Sequence, residues 1–293
     1  MIFDEPNAEA IHGAVINGCH RLMAQQEELN RINVFPVADG DTGDNMASVC
    51  TAIIEYSEIK ENCTLTLESI AQAAIIGSRG NSGILLTQFF VALHQHLPAC
   101  DHLHVNNFCI ALKNTAKEID SVLSTPVEGT IITLIKKLAE FANLRNPVGS
   151  IGKMMSIITP LLKKEVEKTA TTIKIVQQSN VVDAGALGFY YFIAGFTDFL
   201  VSGVALRSPA PHKTHPKQAH DHQLSEPPQF RYCAEAILKR SLISQQELLQ
   251  QLNSEGNSAA ASGTKDLLKI HLHTNEPARL FTLLYQLGTV KHP

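Results

Sequence analysis

The chain has 293 residues, 44% of them hydrophobic and 18% charged, with a formal net charge of −4. This is room for one large or two ordinary globular domains, and the charge balance excludes a general electrostatic draw toward nucleic acid. Trp is absent and aromatics make up only 6%, so the core is expected to be mostly aliphatic. The acidic start MIFDEPNAEA does not read as a signal peptide. No stretch approaches the ~18 uninterrupted apolar residues of a membrane span. The six cysteines form no C-x-x-C pair and several sit in apolar helical text, so a reduced, cytoplasmic setting is expected.

In chain order, the first two-thirds reads as helix after helix. AEAIHGAVINGCHRLMAQQEEL places Ile11, Val15, Cys19, Leu22 and Met23 on one helical face. NSGILLTQFFVALHQHL, VNNFCIALKNTAKEIDSVL and VEGTIITLIKKLAEFA continue the series. GKMMSIITPLLKKEVEKTA carries a kink expected at Pro160. AGALGFYYFIAGFTDFLVSG is apolar nearly all round, so it predicts a buried helix. Residues 1–204 therefore predict an all-α bundle. The segment 205–229, with five prolines and four histidines between Leu206 and Phe230, predicts an interdomain linker. Residues 230–293 read as a small α/β unit: a strand in RYCAEAILK, a helix in SQQELLQQLN, a small-residue loop in NSAAASGT, a strand in DLLKIHLHT and a helix in EPARLFTLLYQLG. These are too few strands to close a sheet comfortably, so the chain is expected to be part of something longer.

The stretch NVFPVADGDTGDNM sets Asp39 and Asp41 two residues apart around Gly40, at the mouth of a helix. One Asp or Thr would suffice as a helix cap. Two carboxylates in a tight turn can instead converge on Mg²⁺, which takes a few carboxylate oxygens and completes its shell with water and phosphate. The N–H groups of Thr42 to Asn45 at the following helix start favour an anion. Three further segments repeat the theme: GSRGNSGILL with Ser82 and Gly83, TPVEGTIITL with Gly129 and Thr130, and NVVDAGALGF with Asp183 and Gly185. None is a Walker A loop, and each alone reads as an ordinary cap. Four such helix entries in one all-α region together describe a nucleotide site.

These four segments, in order, resemble the motifs of the nucleotide-binding domain of the dihydroxyacetone kinase superfamily, and most closely its bacterial fatty-acid kinase branch. The departures are Ala38 for the usual Pro, Asp44 for Thr and Ser78 for Ala. The resemblance implies an antiparallel barrel of about eight helices that binds ATP and two Mg²⁺ at one end. Carried over, Asp39 and Asp41 are the catalytic Mg²⁺ ligands, with Asn33 nearest the place of a third. Thr42, Gly43, Asp44, Asn45, Met46, Ser82, Gly83, Gly129, Thr130, Asp183 and Gly185 line the nucleotide, and Asp44 adds a charge near the phosphates. The implied activity is transfer of the γ-phosphate to a fatty-acid carboxylate presented by a DegV-type carrier protein or fused domain, giving acyl phosphate for phospholipid synthesis. The alternatives are one component of a polyol kinase for dihydroxyacetone, and a nucleotide-binding regulator without turnover. A homodimer is a candidate assembly.

In KIHLHT, His271 and His273 point the same way on a strand, and Cys233 lies in another strand of the same unit. Two imidazoles and a thiolate suit Zn²⁺, although H-x-H also occurs on plain polar strand faces. The C-terminal text resembles the middle domain of the fatty-acid kinase branch, which implies a structural zinc on these three residues. A linker between the units further implies that the zinc unit and the ATP-binding bundle behave independently.

Overall fold

The computed structural model describes residues 3–144, 149–206 and 230–291. Apart from Ala205 and Leu206, the expected linker lies outside the described residues.

Eight longer helices form the first unit: α1 (Ala8–Met23), α3 (Thr42–Tyr56), α4 (Cys63–Gly77), α5 (Gly80–Gln95), α6 (Val105–Glu118), α7 (Ile131–Leu144), α8 (Ile151–Thr172) and α10 (Ala184–Ser202). Two short ones, α2 (Gln26–Arg31) and α9 (Lys174–Gln178), and a 3-10 turn at Ile119–Val122 fill the connections. Each longer helix packs on the next, and α10 returns to α1, so the eight close into a ring. The helix starts follow from local chemistry. Asn7, Asn62, Ser150 and Asp183 each accept a backbone N–H of the first turn. Helix α8 runs unbroken through Pro160.

Helix α10 is long and apolar enough by composition to cross a membrane, but 67% of its apolar window is buried inside the protein. It touches α1, α3, α7 and α8, which explains why it is apolar all round. Its crossing with α1 is a backbone contact. A Cβ on Gly195 would stand 2.6 Å from Asn17 O, and one on Gly18 2.7 Å from Phe192 O. The buried Asn17 side chain donates to Gly195 O at 2.7 Å and welds the pair. The core is chiefly aliphatic, with a phenylalanine nest at its centre: Phe89 meets Phe189 edge-on at 5.0 Å and Phe90 meets Phe192 at 5.3 Å.

The second unit is a four-stranded antiparallel sheet, order β2-β3-β1-β4, from β1 (Tyr232–Lys239), β2 (Asn257–Thr264), β3 (Leu267–Thr274) and β4 (Thr289–Lys291), with α11 (Gln245–Leu252) and α12 (Pro277–Leu287). NSAAASGT is thus a strand, not the expected loop. Its small side chains let α11 and α5 both approach it closely, and that packing stands in for the weak strand propensity of Ala, Ser and Gly.

Register assigns the two faces. Ala234, Ala236, Leu238, Leu268, Ile270 and Leu272 form a core with α11 and α12. Cys233 opposite His273, Glu235 opposite His271, and Ser262 opposite Lys269 occupy the other face. That polar face rests on the helical ring. Ser262 Oγ meets Gln88 Oε1 of α5 at 3.0 Å, Ser124 N donates to Ala259 O at 3.0 Å, and Ala260 belongs to the helical core. The expectation that the two units stand apart is therefore corrected: the alternation that gives the sheet an apolar face also gives it a polar face, and the ring covers that face.

Gly195→Ala gains ~1 kcal/mol of helix propensity but forces a methyl into the backbone of α1, an overpacking that costs ~1–3 kcal/mol. Urea unfolding is expected to show net destabilisation; a stabilised variant would contradict the close crossing.

Candidate functional site

One cleft of about 900 Å³ opens where the ring meets the sheet. Its walls come from the Asp39–Asp41 loop, the starts of α3, α5, α7 and α10, and the polar face of the sheet.

The Asp loop is held by Asn33. The buried side chain of Asn33 accepts the N–H groups of Asp41 and Thr42 at 3.1 and 3.0 Å, and donates to Val37 O at 3.1 Å. Its oxygen thus holds the start of α3 and braces the loop that carries the carboxylates. Gly40 takes φ +65, a conformation that brings the flanking acids together. Burial, and then the neighbouring Asp41 charge, push the Asp39 carboxyl up to about 6. Two acids so close that one resists ionisation are a site that a divalent cation would relieve.

Across from them, α5 starts at Gly80, whose φ is +52 and where a Cβ would meet Asn45 Nδ2 at 2.3 Å. Only Gly allows this turn to lie on α3. Ser78 Oγ, Asn81 Oδ1 and Ser82 Oγ are buried without a hydrogen-bond partner among the described residues, and Asn81 and Ser82 line the cleft. Orphaned polar atoms at a helix N-terminus fit a phosphate. Exposed Arg79 adds a cation at the same wall.

Of the residues expected at the nucleotide, Thr42, Asn45, Ser82, Thr130, Asp183 and Gly185 line the cleft, as do Asn33, Asp39 and Asp41. Gly43 packs against Gln26 O, Gly83 against Asn45 O, Gly129 against Thr172, and Met46 is fully buried beside Gly188. Asp44 turns away from the cleft, its Oδ1 accepting from Asn30 Nδ2 at 2.6 Å and Gln26 Nε2 at 2.9 Å. The charge that the sequence set near the phosphates thus anchors α2.

The sheet contributes Cys233, His271 and His273, whose ligand atoms all lie within 4.8 Å of one another. Cys233 Sγ stands 3.5 Å from His271 Nδ1. Zinc bonds of about 2.3 Å to sulfur and 2.0–2.1 Å to nitrogen at a tetrahedral angle span roughly the same separation, so the donor set fits that ion. His271 and His273 pull the Cys233 thiol down to about 7 against its burial. All three residues line the cleft, facing the Asp loop and α5.

Sequence reasoning missed Arg79, Glu235 and the apolar lip Phe35–Pro36–Val37, all of which line the cleft. Arg79 was signalled only as a lone cation before a Gly-rich helix start. Glu235 was signalled as the residue two beyond Cys233, hence on its face of the strand.

Asp183 caps α10 through Ala186 N at 2.7 Å, yet full burial pushes its carboxyl up to about 7 despite that bond. Between pH 4 and 7 the unfolded chain has released this proton and the folded chain keeps it. Stability therefore falls as pH rises through that window. Asp183→Asn keeps the cap acceptor and removes the titration, so relative to wild type it should gain ~1–3 kcal/mol between pH 4.5 and 7.5. Urea unfolding across pH checks this; parallel curves for the two proteins would contradict it.

Residues 36–198 match the DAK2 domain family model, and residues 229–293 match the model for the FakA-like middle domain of fatty acid kinases. The MG369 homolog of Mycoplasma pneumoniae is 29% identical over 92% of this chain and 52% of its own length. Protein SSP1546 of Staphylococcus saprophyticus is 25% identical over 94% and 52%, and SAB1090 of Staphylococcus aureus is 24% identical over 96% and 54%. The chain thus spans about half the length of the curated relatives it matches. Among solved structures, the dihydroxyacetone kinase of C. freundii in complex with AMP-PNP and Mg²⁺ aligns with a TM-score of 0.47 and 16% identity over 67% of this chain and 35% of that one. The DAK2 match covers more than half of the chain, and the chain belongs to the DAK2-domain family, with a FakA-like middle domain following.

Proposed function

We propose that this chain is the ATP- and Mg²⁺-dependent kinase component of a fatty-acid kinase, acting in the cytoplasm on an acyl chain presented by a DegV-type carrier protein or domain. The observation that carries the reading is that the acidic loop, the anion-ready start of α5 and the Cys/His/His set line one cleft.

In this reading Asp39 and Asp41 hold magnesium, with Asn33 fixing their loop. Magnesium supplies charge neutralisation for phosphoryl transfer. The backbone N–H groups at the start of α5, with Asn81 and Ser82, bind the phosphates, and Arg79 meets their charge. Thr42, Asn45, Thr130, Asp183 and Gly185 complete the nucleotide wall, and Phe35 to Val37 shield it from water. The acceptor carboxylate is ionised at neutral pH. It attacks the γ-phosphorus directly, ADP leaves, and no general base or covalent enzyme nucleophile is required. Cys233, His271 and His273 would hold zinc, which would tie β1 to β3 in the wall of the reaction cleft.

The purified chain with ATP, oleate and a DegV-type partner is expected to give acyl phosphate, and to turn ATP over slowly without the partner. Asp39→Asn and Asp41→Asn are each expected to abolish transfer and leave the helical circular dichroism unchanged, because they remove charge from a loop and not from the core. A phosphorylated polyol as product, wild-type transfer by either variant, or nucleotide binding with no product under any of these conditions would overturn the reading.

Elemental analysis should find one Zn²⁺ per chain, since structural sites bind with ~10 kcal/mol or more, and less than ~0.2 per chain in the His271→Ala/His273→Ala double variant. Wild-type protein purified without metal and still protease-resistant after residue 230 would instead make these three residues a polar strand face.

A further inference from the structure

Glu235 sits on β1 between the donor set and the ring, and one carboxylate serves both. Its Oε1 accepts the Gly80 N–H at 2.9 Å, across 155 residues of sequence, and lies 3.3 Å from His271 Nδ1. Arg79, the residue before α5, makes no side-chain cap bond of its own. The first amide of α5 is therefore capped from the other domain, at the end that carries the orphaned Asn81 and Ser82 oxygens. A bare carboxylate beside a phosphate site would repel the ligand. Here Lys269, fully buried on the same face of β3, pairs with Glu235 Oε2 at 3.0 Å. The pair is net neutral, which lets the carboxylate stand at the cleft. Burying an unpaired lysine is costly, so the two charges stabilise each other's placement.

We propose that Glu235 is a positioning residue: it registers the Cys233/His271/His273 donor set against the start of α5, so that the two walls of the cleft keep one separation and one orientation. Lys269 is the counter-charge that lets an anionic ligand come close to this carboxylate. Its Oε1 faces the same His271 nitrogen that Cys233 Sγ faces, so the Glu235 carboxylate also lies beside the ion that the donor set would hold, and loss of that negative charge lowers cation affinity. The proposal rests on the kinase reading for its functional meaning, but its test needs no turnover.

Removing the carboxylate alone would strand the Lys269 charge and can unfold the protein, so the comparison is Lys269→Met against Glu235→Ala/Lys269→Met, both lacking the ammonium. Amide hydrogen exchange on the ligand-free chain is the first readout, and zinc affinity by competition with a chromophoric chelator the second. The expected result is Gly80 protection close to wild type in the single variant, at least ~10-fold faster exchange confined to the start of α5 in the double variant, and a loss of about 10-fold or more in zinc affinity in the double variant alone. Unchanged exchange at Gly80 in the double variant overturns the proposal, and so does faster exchange spread evenly over the chain. If wild type binds no zinc, the zinc assignment fails and the exchange result alone decides the role of Glu235.

Discussion

The Glu235 carboxylate accepts the Gly80 amide at one oxygen and pairs with buried Lys269 at the other. Much of the molecule is arranged around that contact. It needs a sheet with one polar face, which the register of β1 and β3 supplies by setting Cys233, Glu235, Lys269, His271 and His273 on one side and the Ala/Leu/Ile set on the other. It needs that face to approach a helix, which the small residues Ala259 to Gly263 permit by letting β2 lie against α5. It also needs the start of α5 to stand close to α3, which Gly80 allows where any side chain would collide with Asn45. The charges balance as well. Without Lys269 the carboxylate would be an anion at a phosphate site, and without Glu235 the lysine would be a buried, unpaired cation.

The cleft that results has walls of opposite chemistry. The ring offers hard oxygen ligands and helix N-termini, suited to magnesium and phosphate. The sheet offers a softer thiolate and imidazole set, suited to zinc. The geometry also assigns a cost to the loop of Asp39 and Asp41, where burial and mutual repulsion hold Asp39 up to about 6. A loop in that condition gains by binding a cation.

Several of these features were legible in the text of the chain because they are local. Imidazoles at i and i+2 on a strand share a face through backbone period alone, and the Gly between the two carboxylates signals the turn that brings them together. The same holds for most of the long helices, whose apolar faces are written within a few residues, although α4 is not among those read from the text. What failed was non-local. NSAAASGT has weak strand propensity, and only packing between α5 and α11 makes it β2. Asp44 sits in the motif that faces the phosphates, yet two amides of α2, 14 and 18 residues away, turn it outward. The bracing role of Asn33, whose oxygen holds the N–H groups of Asp41 and Thr42, is likewise set by contacts 8 and 9 residues away. The joining of the two units was hidden most completely, since Gly80 and Glu235 are 155 residues apart and a Pro- and His-rich segment between them suggests separation.

The central claim is that one cleft receives both the nucleotide with magnesium and the metal on Cys233, His271 and His273. A crystal structure of the chain with a non-hydrolysable ATP analogue, Mg²⁺ and Zn²⁺, using anomalous scattering at the zinc edge, tests it most directly. The account predicts the triphosphate between the Asp39–Asp41 loop and the start of α5, with the zinc peak on the three sheet residues facing it across the same cavity. A nucleotide bound elsewhere on the ring, or zinc facing away from the triphosphate with the two units apart, would contradict it.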